Sequence, residues 1–227
     1  MASRRLPGKA LLPVGGMPLL ELLLRRVARA RHAARLLVAT TARTDDDAIA
    51  ALARKLGVPA VRGPEDDVLT RYALALEAAG DPQPGCIVRV TGDNPLTDPV
   101  LLDAVVDSVL TAGADYSYAP AAPLGTASDA FSGHALRRCH DEASGPFERE
   151  HINGWILANP ALFRRFDVEP APDLRRPDLR VTIDTPDDLA RVRELLDGAG
   201  DPVALDLGAI VARWDATIGA MTDAFPE

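Results

Sequence analysis

Residues 86–98 read Cys-Ile-Val-Arg-Val-Thr-Gly-Asp-Asn-Pro-Leu-Thr-Asp, and this stretch decides the fold. Its first part, 86–90, is an apolar run interrupted only by Arg89, which is typical of a buried β-strand. The residues that follow turn polar and place Asp93 two positions ahead of a proline, which cannot continue a strand ladder. Asp98 then caps a helix whose apolar residues recur at helical spacing, namely Leu101, Leu102, Val105, Val106, Val109 and Leu110.

A strand, a polar loop and an amphipathic helix in this order predict an α/β fold. In open α/β sheets, ligands bind at the carboxyl ends of the strands. Asp93 follows such a strand directly, so it is the first candidate for chemistry.

The composition bounds the class of protein. The chain has 227 residues, of which 47% are apolar and 26% are charged, and its net charge is −8. The acidic balance, without a basic block, argues against nucleic acid as the main partner. No apolar run approaches the roughly 20 residues that span a bilayer, and the N-terminus shows no secretion signal. With two cysteines and no repeat or linker, we expect one cytoplasmic domain over residues 1–227.

The N-terminal loop, residues 1–9, combines small residues with fixed positive charge. Ser3, Arg5, Gly8 and Lys9 suit a polyphosphate, because small residues let the backbone approach and cations hold the phosphates. The alternative is an exposed basic terminus without a ligand.

A second unit repeats the pattern around Asp93. Residues 179–183 predict a strand, and Asp184 follows it ahead of a helix that Thr185 caps. If the two strands are neighbours, Asp93 and Asp184 face one pocket and could share Mg²⁺ with substrate phosphates. The competing interpretation is that each aspartate is only a cap or turn residue.

Short motifs that match one known family occur along nearly the whole chain, in the order in which that family has them. They are Arg5-Leu6-Pro7-Gly8-Lys9, Val38-Ala39-Thr40-Thr41, Asp66-Asp67-Val68-Leu69, Val88-Arg89-Val90-Thr91-Gly92-Asp93, Glu148-Arg149-Glu150-His151, and Arg180 with Thr182, Asp184, Thr185 and Pro186. By these motifs the chain resembles the cytidylyltransferase superfamily that activates acidic sugars, of the acylneuraminate and 3-deoxy-manno-octulosonate type, and especially its spore-coat polysaccharide branch.

The resemblance implies a Rossmann-like α/β fold with a mixed, mostly parallel sheet and helices on both faces, as in nucleotide-diphospho-sugar transferases. It also implies an activity: transfer of CMP from CTP to an acidic sugar with release of pyrophosphate, for surface polysaccharide or glycan synthesis. The expected partners are CTP and a small sugar-like acceptor, with neither nucleic acid nor membrane, and a homodimer is one option for assembly.

The resemblance also assigns residues, by position in its motifs. The catalytic residues would be Lys9, Arg5 and Asp93. The nucleotide would be bound by Ser3, Arg5, Gly8, Lys9, Thr40, Thr41 and Arg89. The acceptor would be bound by Glu150, His151 and Arg180, although a histidine in such a string is also often structural. Mg²⁺ would be held by Asp93 and Asp184.

The sequence departs from the family pattern at its beginning. The family places an apolar strand, ending in an Ala-Arg pair, before the basic loop, and here Met1 already stands in that loop. We therefore expect the central strand of the sheet to be missing, either through an N-terminally truncated gene model or through real divergence. Ala2, Arg4 and Asp129 also stand where the family has Gly, Thr and Glu.

These departures leave alternatives open. One is the same chemistry on a non-sugar acceptor, such as a phosphonate or an alditol. The other is a degenerate, non-catalytic homologue that binds nucleotide or serves in assembly.

Overall fold

The computed structural model describes residues 5–80 and 85–224. The strands are β1 Pro13–Val14, β2 Met17–Pro18, β3 Val38–Thr41, β4 Ala60–Gly63, β5 Cys86–Arg89, β6 Tyr116–Tyr118, β7 Asp129–Ser132 and β8 Arg165–Asp167. The helices are α1 Leu19–Val27, α2 Asp47–Lys55, α3 Val68–Ala79, α4 Pro99–Leu110, α5 Gly133–Glu142, α6 Pro146–Glu150, α7 Gly154–Ala158, α8 Pro186–Leu196 and α9 Leu207–Ala224. Short 3-10 helices cover Lys9–Leu11, Thr44–Asp46 and Pro172–Leu174.

Parallel and antiparallel strand pairs are both present. β1 and β2 form a small antiparallel hairpin, and β3 pairs with β4 in parallel, with Val38 opposite Ala60. The larger sheet has the order β5-β7-β6-β8, in which β6 and β8 are parallel and the other neighbours are antiparallel. The predicted α/β class, with a mixed sheet and packed helices, is confirmed.

β5 is covered on both sides, as its near-continuous apolar character predicts. Ile87 packs with a cluster that includes Leu69 of α3 and Leu136 of α5. Val88, which points to the opposite side, packs with a cluster that includes Leu20 of α1 and Leu102 of α4. The strand that leads to Asp93 is therefore fixed between two layers of helices.

β3 and β5 each have a strand partner on one side only, within the part of the chain that the structure describes. Within residues 5–80 and 85–224, no hydrogen-bonded strand joins the β3-β4 pair to the four-stranded sheet. The prediction that a central strand is missing concerns residues ahead of Met1, which the described residues do not test, so it stays a prediction.

Helix α4 begins and packs much as its sequence predicts. The Asp98 carboxylate accepts hydrogen bonds from the backbone N–H groups of Val100 and Leu101, at 3.0 and 2.9 Å. The predicted apolar stripe is buried along most of the helix, but Leu110 is 50% exposed. Leu110 is the last residue of α4, so its side chain extends past the packed surface, and the prediction was wrong there.

The predicted strand at 179–183 is not formed as a regular strand. Its pairing is limited to an isolated bridge between Leu124 and Arg180. The Ile183 N–H, one residue ahead of the second aspartate, donates instead to the Asp93 carbonyl at 2.9 Å. The segment lies against two loops and not against a long strand, which leaves too few ladder bonds for a strand but still fixes its position.

One fully buried arginine fastens α1 to the chain between α8 and α9. Arg26 donates hydrogen bonds to the carbonyls of Pro202 at 2.9 Å, Leu205 at 2.8 Å and Thr97 at 3.2 Å. Burial lowers the pKa of Arg26 to about 10, so it remains charged at neutral pH. These carbonyls, otherwise without strand partners, are satisfied by the guanidinium.

No helix in the described residues is both long enough and apolar enough to cross a membrane.

Candidate active site

The structure brings the two predicted aspartates together at the ends of two neighbouring segments. Asp93 lies in the loop after β5, and Asp184 follows the segment whose Ile183 N–H is bonded to the Asp93 carbonyl. Asp184 is held in turn at the start of α8, where its backbone N–H donates to the Asp188 carboxylate at 3.0 Å. Thr185 and Asp188 complete a capping box on the same helix. Local capping chemistry therefore fixes the backbone on which Asp184 stands.

Lys9 joins the two aspartates. Its ammonium Nζ donates to Asp93 Oδ2 at 3.0 Å, to Asp184 Oδ1 at 3.0 Å and to the Ile183 carbonyl at 2.9 Å. Gly8 directly precedes it with φ 71° and ψ 13°, in the left-handed region that favours glycine. That turn directs the following residues into the short 3-10 helix from which Lys9 extends to the aspartates.

Two arginines add positive charge at Asp184. Arg180 Nη2 donates to Asp184 Oδ2 at 2.7 Å, and its Nε lies 3.4 Å from an Asp188 oxygen. Arg5 Nη2 is 3.4 Å from Asp184 Oδ1, with a side chain that is 65% exposed. Among the described residues of the predicted loop, Arg5 is thus a cation that remains open to solvent.

The Asp184 carboxyl is stabilised in its ionised form. Burial alone would raise its pKa, but the hydrogen bond and charge of Lys9, helped by Arg180 and Arg5, hold the pKa below its ordinary value. The site therefore keeps Asp184 as a carboxylate throughout the neutral range.

The predicted nucleotide-binding threonines have a different partner in the structure. The hydroxyls of Thr40 and Thr41 donate to Asp46 Oδ2 at 2.8 and 2.6 Å. Their hydroxyl protons are therefore used to hold the 3-10 turn that precedes α2. Ser3, which was predicted to bind the nucleotide with them, lies outside the described residues.

Arg89 belongs to a polar cluster that the sequence did not indicate. Its Nη1 donates to Asp129 Oδ2 at 3.0 Å, and the Tyr116 hydroxyl donates to the other carboxylate oxygen. Asn153 Nδ2 lies 3.4 Å from the same oxygen. Burial, followed by the negative charge of Asp129, raises the pKa of Tyr116. The departure at Asp129, where the family has Glu, was the available signal for this cluster.

Glu150 and His151, predicted to bind the acceptor, are not brought to this site by any contact among the described residues. Both are exposed at the end of α6, where the His151 ring packs on Phe147 at a centroid distance of 4.5 Å. Arg149 of the same motif is held in place, because its Nη2 and Nε both donate to Asp67 Oδ2, at 2.7 and 3.1 Å. The motif therefore supplies an anchor in the structure, through Arg149, and the acceptor-binding role of Glu150 and His151 stays a prediction.

Comparison with known proteins decides the family. The family described as cytidylyltransferase matches residues 1–207 of this chain. The chain belongs to the cytidylyltransferase family. The predicted resemblance is thus confirmed at family level, and with it membership of a nucleotidyltransferase class.

Individual relatives agree with this placement. The spore coat polysaccharide biosynthesis protein SpsF of Bacillus subtilis is 35% identical over 206 residues, covering 88% of this chain and 85% of the relative. The 3-deoxy-manno-octulosonate cytidylyltransferase of Anaeromyxobacter dehalogenans is 33% identical over 234 residues, covering 86% and 93%. Among solved structures, a cytidylyltransferase from Leptospira borgpetersenii superposes with a TM-score of 0.88 at 27% identity, covering 96% of this chain and 92% of that one.

The donors at the Asp93–Asp184 site suit a hard divalent cation. Asp93, Asp184 and the Ile183 carbonyl present only oxygen atoms to one shared cation position, which Lys9 now fills. Mg²⁺ takes oxygen ligands and is usually held by one or two carboxylates, with waters and substrate phosphates supplying the rest. No group of three or more His, Cys, Asp or Glu side chains able to hold a metal is found within residues 5–80 and 85–224. The residues therefore fit a metal that is shared with a phosphate substrate.

Proposed function

We propose that this chain transfers CMP from CTP to an acidic sugar, or a similar hydroxyl acceptor, and releases pyrophosphate. Family membership supports CTP as the nucleotide, and the 3-deoxy-manno-octulosonate cytidylyltransferase supports a sugar acid as the acceptor. The observation that carries the proposal is the convergence of Asp93, Asp184 and Lys9 beside the exposed Arg5. This arrangement offers both carboxylates for a metal and cations for phosphates.

The proposed reaction is an in-line displacement. The acceptor hydroxyl oxygen forms a bond to the α-phosphorus, and the bond from that phosphorus to the oxygen bridging the β-phosphate breaks. Pyrophosphate leaves with that electron pair, and the hydroxyl proton passes to solvent. Mg²⁺, held by Asp93 and Asp184, would neutralise charge on the phosphate oxygens.

The chain's own residues would position the triphosphate. Arg5 has a 65% exposed side chain, so it can turn from Asp184 toward a phosphate at little cost. Lys9 would supply a second cation, and Gly8 would let the loop backbone approach. Fixed positive charge aimed at the oxygens where charge develops is the main source of catalysis in such transfers.

The assay is pyrophosphate release from CTP with 3-deoxy-manno-octulosonate or N-acetylneuraminate, in the presence of Mg²⁺. Asp93→Asn and Asp184→Asn should each lower kcat/KM by about 10²–10³-fold, since each removes one proposed metal ligand. Asp197→Asn, the same change at an exposed carboxylate after α8, should leave turnover unchanged. UTP, ATP and GTP in place of CTP test the nucleotide preference.

A second candidate is a non-catalytic nucleotide-binding or assembly homologue. It is favoured by the saturation of Lys9, whose three N–H donors all contact protein oxygens. CTP binding without pyrophosphate release, across sugar acids, phosphonates and alditols, would select this candidate. Absence of both CTP binding and turnover would refute the transferase and the nucleotide-binding homologue, and would leave the assembly role alone.

A further inference from the structure

The Lys9 ammonium is fully occupied by the protein. An ammonium group has three N–H donors and no acceptor, and all three donors of Lys9 are used, on Asp93, Asp184 and the Ile183 carbonyl. Only 17% of the side chain is exposed. In this arrangement Lys9 has no donor for a phosphate, so its predicted role in triphosphate binding requires it to leave the aspartates first.

The position that Lys9 fills is the one that suits a divalent cation. Its three oxygen partners lie 2.9–3.0 Å from Nζ, whereas Mg²⁺ binds oxygen ligands at about 2.0–2.1 Å. The ammonium and a metal ion cannot occupy the same position between the same two carboxylates, for reasons of both charge and space.

The charges around the two aspartates are unequal. Asp184 has Arg180 and Arg5 within ion-pair distance besides Lys9. Within the described residues, Lys9 is the only cation paired with Asp93. Lys9 therefore neutralises Asp93 in the absence of a metal, and its departure leaves a carboxylate ready for one.

We propose that Lys9 is a placeholder cation, which bridges Asp93 and Asp184 until a divalent ion takes its position and then turns its ammonium to the nucleotide phosphates. Its long, flexible stem permits this movement, and its charge is retained throughout. Metal and nucleotide binding are then coupled, because the metal frees the cation that the nucleotide needs, and the coupling acts equally in both directions. This inference rests on the proposed function.

The decisive variant is Lys9→Met, which removes the ammonium and keeps much of the stem. Binding of Mn²⁺ without nucleotide, followed by the paramagnetic resonance signal of the free ion, should be about tenfold tighter than in the wild type, because the metal no longer competes with a bound cation. CTP binding should be weaker in the same variant. Lys55→Met, the same change at the chain's other lysine, should alter neither, and Lys9→Arg should keep the weaker Mn²⁺ binding. Equal or weaker Mn²⁺ binding in Lys9→Met would overturn the proposal.

A second measurement uses the wild-type chain, in case Lys9→Met does not fold. Reductive methylation, read by mass spectrometry, compares the reactivity of Lys9 with that of Lys55 as an internal reference. Saturating Mn²⁺ should raise the relative labelling of Lys9, because its ammonium is released from the carboxylates, and adding CTP should lower it again. Unchanged labelling of Lys9 on Mn²⁺ binding would overturn the exchange.

The two proposals fail differently. Turnover by the wild type with no change in Mn²⁺ affinity on Lys9→Met would keep the activity and remove the exchange. Tighter Mn²⁺ binding in Lys9→Met without turnover on any acceptor would keep the exchange and remove the activity.

Discussion

Replacing Arg149 by methionine should destabilise the fold far more than its partly exposed position suggests. The Arg149 guanidinium donates two hydrogen bonds to Asp67, at 2.7 and 3.1 Å, one to the Thr70 hydroxyl at 2.8 Å and one to the His140 carbonyl at 2.9 Å. These contacts join α6 to α3 and α5. The substitution removes all of them while the methionine side chain keeps part of the packing of the stem.

The magnitude follows from the number and exposure of these bonds. A hydrogen bond to a charged group contributes about 1.5–3 kcal/mol, but Arg149 and Asp67 are 21% and 31% exposed, so solvent screens part of this. Asp67 also keeps its cap on the Thr70 N–H at 2.9 Å after the change, so it is not left unpaired. We therefore expect a loss of about 2–4 kcal/mol in the free energy of unfolding.

The assay is urea unfolding followed by circular dichroism at pH 7, with Arg25→Met as the matched control. Arg25 is 54% exposed and, among the described residues, pairs only with Glu21 on its own helix, so its loss should lower the free energy of unfolding by less than about 0.5 kcal/mol. A loss for Arg149→Met no larger than for the control would refute the reasoning, because it would show that solvent screens the pair completely.

The pH dependence of the stability is a second test of the Arg149–Asp67 pair. Burial alone would raise the pKa of Asp67, but the hydrogen bonds from Arg149 and Thr70 outweigh it and lower the pKa from 3.8. A carboxyl with a lowered pKa stabilises the fold above its unfolded pKa and loses this contribution as the pH falls through the folded value. The difference between wild type and Arg149→Met should therefore be full at pH 7 and shrink below about pH 4. A difference that stays constant down to pH 3 would contradict the ion pair as its cause.

Three further changes test how the site is supported. Gly125→Ala should lower the free energy of unfolding by about 2–4 kcal/mol, because φ at Gly125 is 103° and an added Cβ would lie 2.5 Å from the Thr182 backbone nitrogen. Thermal unfolding measures this loss, and an unchanged stability would contradict the close approach. Gly8→Ala should lower the free energy of unfolding by about 1–2 kcal/mol, since φ at Gly8 is 71°, and it should weaken CTP binding because it moves Lys9. Unchanged stability would show that the loop can adopt another turn. Arg26→Met should lower stability by about 2–4 kcal/mol in urea unfolding, because it leaves buried carbonyls without donors, and a stabilised variant would show that the cost of burying the charge dominates.

Much of the local structure could be predicted from the sequence. An apolar run located β5, Asp98 and Thr185 marked the starts of α4 and α8, and the motifs identified the family. These features depend on neighbours within a few residues, so periodicity and capping chemistry suffice to locate them. The segment 179–183 was predicted less well, because its apolar pattern cannot show whether a partner strand lies beside it.

The positions of the functional side chains depended on contacts that are distant in sequence. Asp93 and Asp184 were predicted as a pair, yet the cation between them, Lys9, lies 84 and 175 positions away, and no local pattern indicates which group will take its three donors. In the same way, only the fold decided that Arg89 would bind Asp129, 40 positions further along the chain.

The sequence by itself determined the family, the class of fold and the residue types that a phosphate chemistry needs, because these are written in local patterns. The tertiary structure alone decided which of those residues are already paired and which remain open to a ligand. A charged side chain can form only a fixed number of hydrogen bonds, and the partners that satisfy them are set by the packing of the whole chain.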